Sequence, residues 1–262
     1  MNTLERQRIG NAFNAASGDY DAHADVQARI AQGLAAYLPD TLGSGGADSS
    51  GLILDAGCGT GRGFPLLASR YPRAQHLGLD LAPAMAHRAL ARGLTTAAAD
   101  IEALPLRDAG VALYWSSLAW QWCDPLAAAR EAARVLAPGG RLCVATLGPG
   151  TLRELREAFA VLGDEASHVR EFPAAAALTA ACEAAGLREL RIVPALHHAH
   201  AQDLATLLQG VRSIGAHTLG DARRRGLLGR HAWQAVQARY EQHRGNQGLP
   251  ASYEALFICA TR

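Results

Sequence analysis

The residues with the plainest chemical purpose lie in one run, Leu52-Ile-Leu-Asp-Ala-Gly-Cys-Gly-Thr-Gly61. An apolar stretch passes directly into glycines at 57, 59 and 61, and a helical pattern follows. Glycines in such a turn let a ligand approach main-chain atoms, because no Cβ fills that space. The dinucleotide fingerprint would need a further glycine at 62, or at 64 if counted from Gly59. Those positions hold Arg62 and Phe64, so the spacing argues against a nicotinamide dinucleotide. Asp55 stands two residues ahead of Gly57. A carboxylate there would repel a pyrophosphate and attract a cation such as an ammonium group. The plainer alternative is that Asp-Ala-Gly makes a tight strand-to-helix turn.

Two further acidic positions recur at matching places. Asp80 closes a second apolar run, 19 residues beyond Gly61, an offset suited to accepting hydrogen bonds from ribose hydroxyls. It would also cap a helix opened by Pro83, and the two roles are compatible. Asp100-Ile101-Glu102 follows a third run and would lie at the same edge, within reach of an adenine amino group. Cys58, inside the glycine loop, has no second cysteine or base beside it and reads as a small filler rather than a nucleophile.

Elements must bring these residues to one edge. Strands are expected at 52–56, 76–80, 94–98, 111–117 and 141–147, with helices near 61–71, 83–92 and 124–137 between them. Pro83 and Pro125 suit a first helical turn, where a missing N–H costs nothing, and Asp124 is a good N-cap. Apolar strands alternating with helices predict a doubly wound α/β fold with a parallel sheet covered on both faces. Ahead of it, residues 3–38 read as two helices parted at Ser17-Gly18, then a Gly- and Ser-rich link over 41–51. After it come a helix near 152–162, an alanine-rich helix over 173–185, a sixth strand over 187–196, a helical stretch over 201–244 and a last strand over 252–261. The expected organisation is an N-terminal helical segment (1–40), a core (52–196), a basic helical cap inserted before the last strand (197–248) and that strand (249–262).

With 49% hydrophobic and 19% charged residues, the chain can bury a substantial core. A net charge of +1 argues against nucleic acid as a partner. The 201–244 segment differs: seven arginines against three acidic residues give +4. Five scattered cysteines without a C-x-x-C pair suit reduced thiols and suggest neither disulfides nor a zinc site. No signal-like or membrane-spanning run is visible, so a cytoplasmic protein without membrane contact is expected.

As an ordered set, LDAGCGTG, GLDLAPAM, ADIEALPL and Val-Leu-Ala-Pro-Gly-Gly140 resemble the motifs of class I S-adenosylmethionine (AdoMet) methyltransferases. That resemblance covers residues 50–147 and implies a seven-stranded sheet with an antiparallel last strand. It assigns the methionine end to Asp55, Gly57, Gly59 and Gly61, the ribose to Asp80, and the adenine to Asp100 with Ile101. Gln27, Leu81 and Met85 are assigned to the same cofactor, and Ser116 and Ser117 would border the methyl group. A narrower likeness runs over nearly the whole chain. Ile9-Gly-Asn-Ala-Phe13, Tyr20, His23-Ala-Asp-Val-Gln27, Trp115-Ser-Ser-Leu-Ala-Trp-Gln-Trp-Cys123, Thr146–Leu155, Val211–His217 and Leu249–Glu254 resemble the malonyl-acyl carrier protein O-methyltransferases of biotin synthesis (the BioC family). Arg212 stands where that family often has lysine.

The implied reaction transfers the AdoMet methyl to the free carboxylate of a malonyl thioester, leaving S-adenosylhomocysteine. A carboxylate with a reference pKa near 4 is already an anion, so placement and exclusion of water matter more than a base. Tyr20 is the first candidate to donate to that carboxylate, unless it merely packs between helix and sheet. His23 and Gln27, three and seven residues on, would share its helix face. Arg8 would meet the cofactor carboxylate or simply be solvated. In the basic cap, Arg212, with Arg223, Arg224 and Arg225 as alternatives, would grip an acidic acyl carrier protein bearing the malonyl group. Trp115, Trp120 and Trp122 read as core, with one of them as a possible pocket wall. A quinone-type small-molecule methyltransferase and a non-catalytic AdoMet-binding module stay open as alternatives.

Overall fold

A computed structural model of the chain describes residues 3–42, 51–163, 170–213 and 229–262, with the side chains of 212 and 213 left out. In chain order it contains α1 (Thr3–Ala16), a 3-10 turn (Tyr20–His23), α2 (Asp25–Ala35), β1 (Leu52–Ala56), α3 (Phe64–Arg70), β2 (Gln75–Asp80), α4 (Pro83–Ala91), β3 (Thr95–Ala98) and β4 (Val111–Ser117). A 3-10 turn (Trp120–Trp122), α5 (Pro125–Val135), β5 (Leu136–Leu147), α6 (Arg153–Phe159), a further 3-10 turn (Ala160–Leu162), α7 (Ala175–Ala184), β6 (Arg188–Ala201), α8 (Leu204–Ser213), α9 (Arg230–Glu241) and β7 (Leu249–Thr261) complete it. The seven strands form one sheet in the order β3-β2-β1-β4-β5-β7-β6. β1 pairs in parallel with β2 on one side and β4 on the other, whereas β7 runs antiparallel to both β5 and β6.

Both sheet faces are buried because successive side chains on a strand point to opposite faces. Ile53, Leu113 and Trp115 face one core with α2, α6, α8 and α9, while Leu54 and Tyr114 face the other with α5 and α7. α5 starts where it does because Asp124 accepts the Ala127 N–H at 2.8 Å, ahead of Pro125. The order reverses between β1 and β4. In open α/β sheets ligands lie at the carboxyl ends of the strands at that switch point.

Several elements differ from expectation. β6 runs on to Ala201, five residues past its expected end, because β7 supplies partners from Arg188↔Thr261 through Ala201↔Leu249. β5 begins at Leu136, since Leu136 pairs with Val111 across an irregularity in the β4 register. Within 201–244 the described residues hold the end of β6 and two helices, α8 and α9. α3 starts only at Phe64, since Gly57, Gly59 and Gly61 all have positive φ and hold a loop before it.

Candidate functional site

At the switch point lies a cavity of about 280 Å³, walled by the β1–α3 loop, the ends of β2, β3 and β4, and the N-terminal segment. The loop requires its first glycine: Gly57 has φ +75°, and a Cβ there would fall 2.2 Å from that of Ala119, just past β4. Gly59 is different, since a Cβ would meet no protein atom within 4 Å. Its bare backbone therefore opens onto space for a ligand. Asp80 ties the loop to β2: its carboxylate accepts the N–H of Gly59 and of Ala82, each at 2.8 Å.

Three carboxylates, Asp55, Asp80 and Asp100, line the cavity against one guanidinium, Arg62, among the described residues. Asp55 is 4% exposed. Burial, with the Asp80 charge as a lesser cause, pushes its carboxyl up to about 7. Burial also raises Asp80, partly offset by the hydrogen bonds from Ala82 and Gly59. A site that crowds buried carboxylates in this way favours a cationic ligand.

The N-terminal segment forms the roof. Phe13 packs on Tyr20 (ring centroids 6.3 Å apart) and edge-on against Trp122 (5.6 Å). Two clusters fasten it. Arg6 of α1 pairs with Asp100 and Glu102 just past β3, while Asp21 accepts the Thr60 hydroxyl at 2.7 Å and pairs with Arg92 at 2.5 Å. Asn14 also accepts the Ala84 N–H at the start of α4. A second cavity, of about 310 Å³, lies between α2, α8 and the β6–β7 ladder, and Gln27 lines both.

Residues 54–144 match the family model for a methyltransferase domain. The chain is 41% identical to a malonyl-(acyl-carrier protein) O-methyltransferase of Dechloromonas aromatica (strain RCB), over 98% of this chain and 95% of the relative. A second protein so named, from Herminiimonas arsenicoxydans, is 38% identical over 100% and 98%. The chain belongs to the malonyl-(acyl-carrier protein) O-methyltransferase family. The enzyme shares its fold with a SAM-dependent methyltransferase of Thermotoga maritima, described as a possible histamine N-methyltransferase (TM-score 0.57, 19% identity, 97% and 99% coverage). Another such structure is a geranyl diphosphate C-methyltransferase of Streptomyces coelicolor A3(2) holding S-adenosyl-L-homocysteine (TM-score 0.52, 20% identity, 89% and 80%). The seven-stranded class I fold expected from the motifs is present, and AdoMet is the methyl donor.

Of the residues expected from sequence, Tyr20, Gln27, Asp55, Gly57, Gly59, Asp80, Leu81, Met85, Asp100 and Ile101 line the first cavity of the methyltransferase. Gly61 lies behind them, with φ +81° and a Cβ position 2.9 Å from Ala89 of α4. Ser116 requires correction. It is fully buried, and its hydroxyl donates to the Ala56 carbonyl at 2.7 Å. Strand alternation turns Ser117 into the cavity instead. The shared helix face of Tyr20, His23 and Gln27 is also absent: a 3-10 turn holds the first two, α2 the third, and Ala24 lies between. His23 lines the second cavity, with Nδ1 3.2 Å from the Asp19 carbonyl. Arg8 is exposed on α1, outside the cavity lining. Arg212 falls in α8, but its side chain lies outside the described residues, as do Arg223, Arg224 and Arg225. Trp115 and Trp122 wall the cavity, whereas Trp120 is core and donates to Tyr114 Oη at 3.2 Å.

Sequence reasoning missed Phe13, Arg62 and the Asp21–Thr60–Arg92 cluster as parts of the enzyme's site, because no spacing rule ties a surface helix to a loop 40 residues on. These ties also suggest how release is governed. Arg6→Ala is expected to speed S-adenosylhomocysteine dissociation about two- to fivefold in stopped-flow tryptophan fluorescence, since partly exposed pairs are worth up to about 1 kcal/mol. An unchanged release rate would show that α1 is not held shut by Arg6.

Proposed function

We propose that this enzyme methylates the free carboxylate of malonyl-acyl carrier protein, an early step of biotin synthesis, in the cytoplasm. The observation that carries the reading is the 41% identity over nearly the full length of a protein named for that reaction. AdoMet, when bound, supplies an electrophilic methyl group on a sulfonium. The Asp55 carboxylate would attract the ammonium of its methionine end, Asp80 would accept from the ribose, and Asp100 would serve the adenine. The acceptor carboxylate oxygen forms the new O–CH₃ bond as the S–CH₃ bond breaks, and that electron pair stays on sulfur. A cation and an anion become a neutral sulfide and a neutral ester. No proton moves, so no base is needed.

Tyr20 fits the part left over. Burial, reinforced by Asp80 and Asp21, pushes its phenol well above the ordinary range, so it stays a donor rather than a base. Its role is to orient the malonyl carboxylate while Phe13 and Trp122 exclude water. Tyr20→Phe should lower kcat about tenfold to a hundredfold, with little change in S-adenosylhomocysteine affinity. An unchanged kcat would remove Tyr20 from the reaction.

The acceptor arm would approach through the second cavity, whose wall shares Gln27 with the first. Arg29 and the imidazoles of His23, His198 and His200 share its wall with Asp25 and would give a polar arm hydrogen-bonding partners. The basic cap, 197–248, would then dock the acidic carrier through Arg212 and Arg223 to Arg225. Purified enzyme with labelled AdoMet should methylate malonyl-carrier protein far faster than the acetyl or succinyl forms, and rising salt should raise KM for the carrier. Equal rates on all three carriers would reject the assignment.

A further inference from the structure

Two of the five cysteines, far apart in sequence, face each other across the sheet: Cys143 of β5 and Cys259 of β7 are direct register partners. Arg262 N donates to the Gly140 carbonyl at 3.1 Å and Gly148 N to the Glu254 carbonyl at 2.8 Å, and both are directly opposed pairs on the same register. Hydrogen-bonded and non-hydrogen-bonded pairs alternate along an antiparallel ladder, and Cys143 lies three and five residues from those two glycines. Cys143 and Cys259 therefore form a non-hydrogen-bonded pair, the kind whose Cα atoms approach to about 4.5 Å and whose side chains come closest. That separation falls within the roughly 4.4–6.8 Å that a disulfide spans.

The two thiols differ in their surroundings. Cys143 is 2% exposed, with Sγ 3.7 Å from the Tyr37 carbonyl oxygen, whereas Cys259 is partly exposed. Arg191 of β6 stands opposite Cys259 on its other side, with its guanidinium 5.8 Å from the Tyr37 ring centre. Arg141, the other nearby cation, is shared with Glu189 at 3.3 Å. A hydrogen bond from Cys143, helped by Arg141 and Arg191, draws the Cys259 thiol below its usual range against the effect of burial. Burial pushes Cys58, Cys123 and Cys182 the other way. Reactive cysteines occupy such partly exposed places beside cations, and in reducing compartments their disulfides are transient. We infer that Cys259 and Cys143 form a reversible oxidation site for hydroperoxides, with Cys259 as the attacking thiol and Cys143 as the resolving one. Neither residue lines either cavity, so the site stands apart from the methyl-transfer machinery. In the first step the Cys259 sulfur forms an S–O bond as the peroxide O–O bond breaks, and the departing hydroxide takes the thiol proton to become water. In the second, the Cys143 sulfur attacks that of Cys259, the S–O bond breaks, and the hydroxyl leaves as water with the Cys143 proton. Two thiols lose two electrons and two protons, and one hydrogen peroxide becomes two waters.

The test treats the folded full chain with a slight excess of hydrogen peroxide, caps remaining thiols with N-ethylmaleimide and maps tryptic peptides by mass spectrometry. The expected product is the peptide holding Cys143 joined to the one holding Cys259, released by dithiothreitol, with Cys58, Cys123 and Cys182 capped. Before oxidation, Cys259 should take up iodoacetamide at pH 7 at least about tenfold faster than those three. A bridge between other cysteines, sulfinic acid on Cys259 beside an intact Cys143 thiol, or no reaction at Cys259 would each overturn the inference. Cys143→Ser separates the two roles: dimedone should then trap a sulfenic acid on Cys259, and no adduct there removes Cys259 as the attacking thiol. Should that variant fail to fold, the peptide map of the wild-type protein still decides.

Discussion

Asp80→Ala should weaken S-adenosylhomocysteine binding by about a hundredfold or more in calorimetry, the largest loss expected from any single change to the cavity. The side chain has two duties. In the free protein it holds the glycine loop by accepting from Gly59 N and closes the turn into α4 by accepting from Ala82 N. With the cofactor bound it would also take the ribose hydroxyls. Hydrogen bonds to a charged group are worth about 1.5–3 kcal/mol each, and the truncation strands two amides besides. Asp80→Asn keeps one oxygen and removes the charge, so its loss should be intermediate. If Asp80→Ala melts within a few degrees of wild type and binds within twofold of it, no ribose lies at the end of β2.

The second large effect is one of pH. The Asp55 carboxyl is held up to about 7 by burial first and by Asp80 second. Below that pH it is neutral and does little for an ammonium; above it, it is an anion. AdoMet affinity should thus climb more than about tenfold between pH 5 and pH 7, then level off as the ligand's own amino group begins to lose its proton near 8. Asp55→Asn should flatten the profile and bind weakly throughout. Stability carries the opposite sign. A carboxyl raised above its unfolded value favours the folded state at low pH, and that advantage disappears as pH rises through about 7. The loss for the free protein is up to roughly 4 kcal/mol. The melting temperature should therefore fall from pH 5 to 7.5 without ligand and fall much less with saturating S-adenosylhomocysteine. Parallel curves with and without ligand would mean that the ammonium does not meet Asp55.

Both predictions concern residues that sequence alone singled out, and the reason is local. Asp55, Gly57, Gly59 and Asp80 sit at the ends of strands next to a loop whose left-handed backbone only glycine adopts cheaply. Their chemistry and their position are set within ten residues of chain. The same holds for the Asp124 cap and for strand β4, whose bounds agree with the apolar pattern. Where pairing supplies the driving force, the pattern misleads. The His197–Ala201 stretch is not an apolar run, and it is a strand because Leu249–Tyr253 lies beside it.

What only the tertiary structure decided is how distant pieces meet. Ser116 and Ser117 are equal candidates in the sequence, yet the pleat buries one hydroxyl against Ala56 and turns the other to the cavity. Nothing in the order of residues tells that Arg6 reaches Asp100, that Asp21 reaches Thr60 and Arg92, or that Gln27 serves two cavities. Such contacts depend on the angle at which the N-terminal helices cross the sheet, a quantity set by packing all along the interface rather than by a motif. The strand-end chemistry was written in short runs of chain; the closure over it was not.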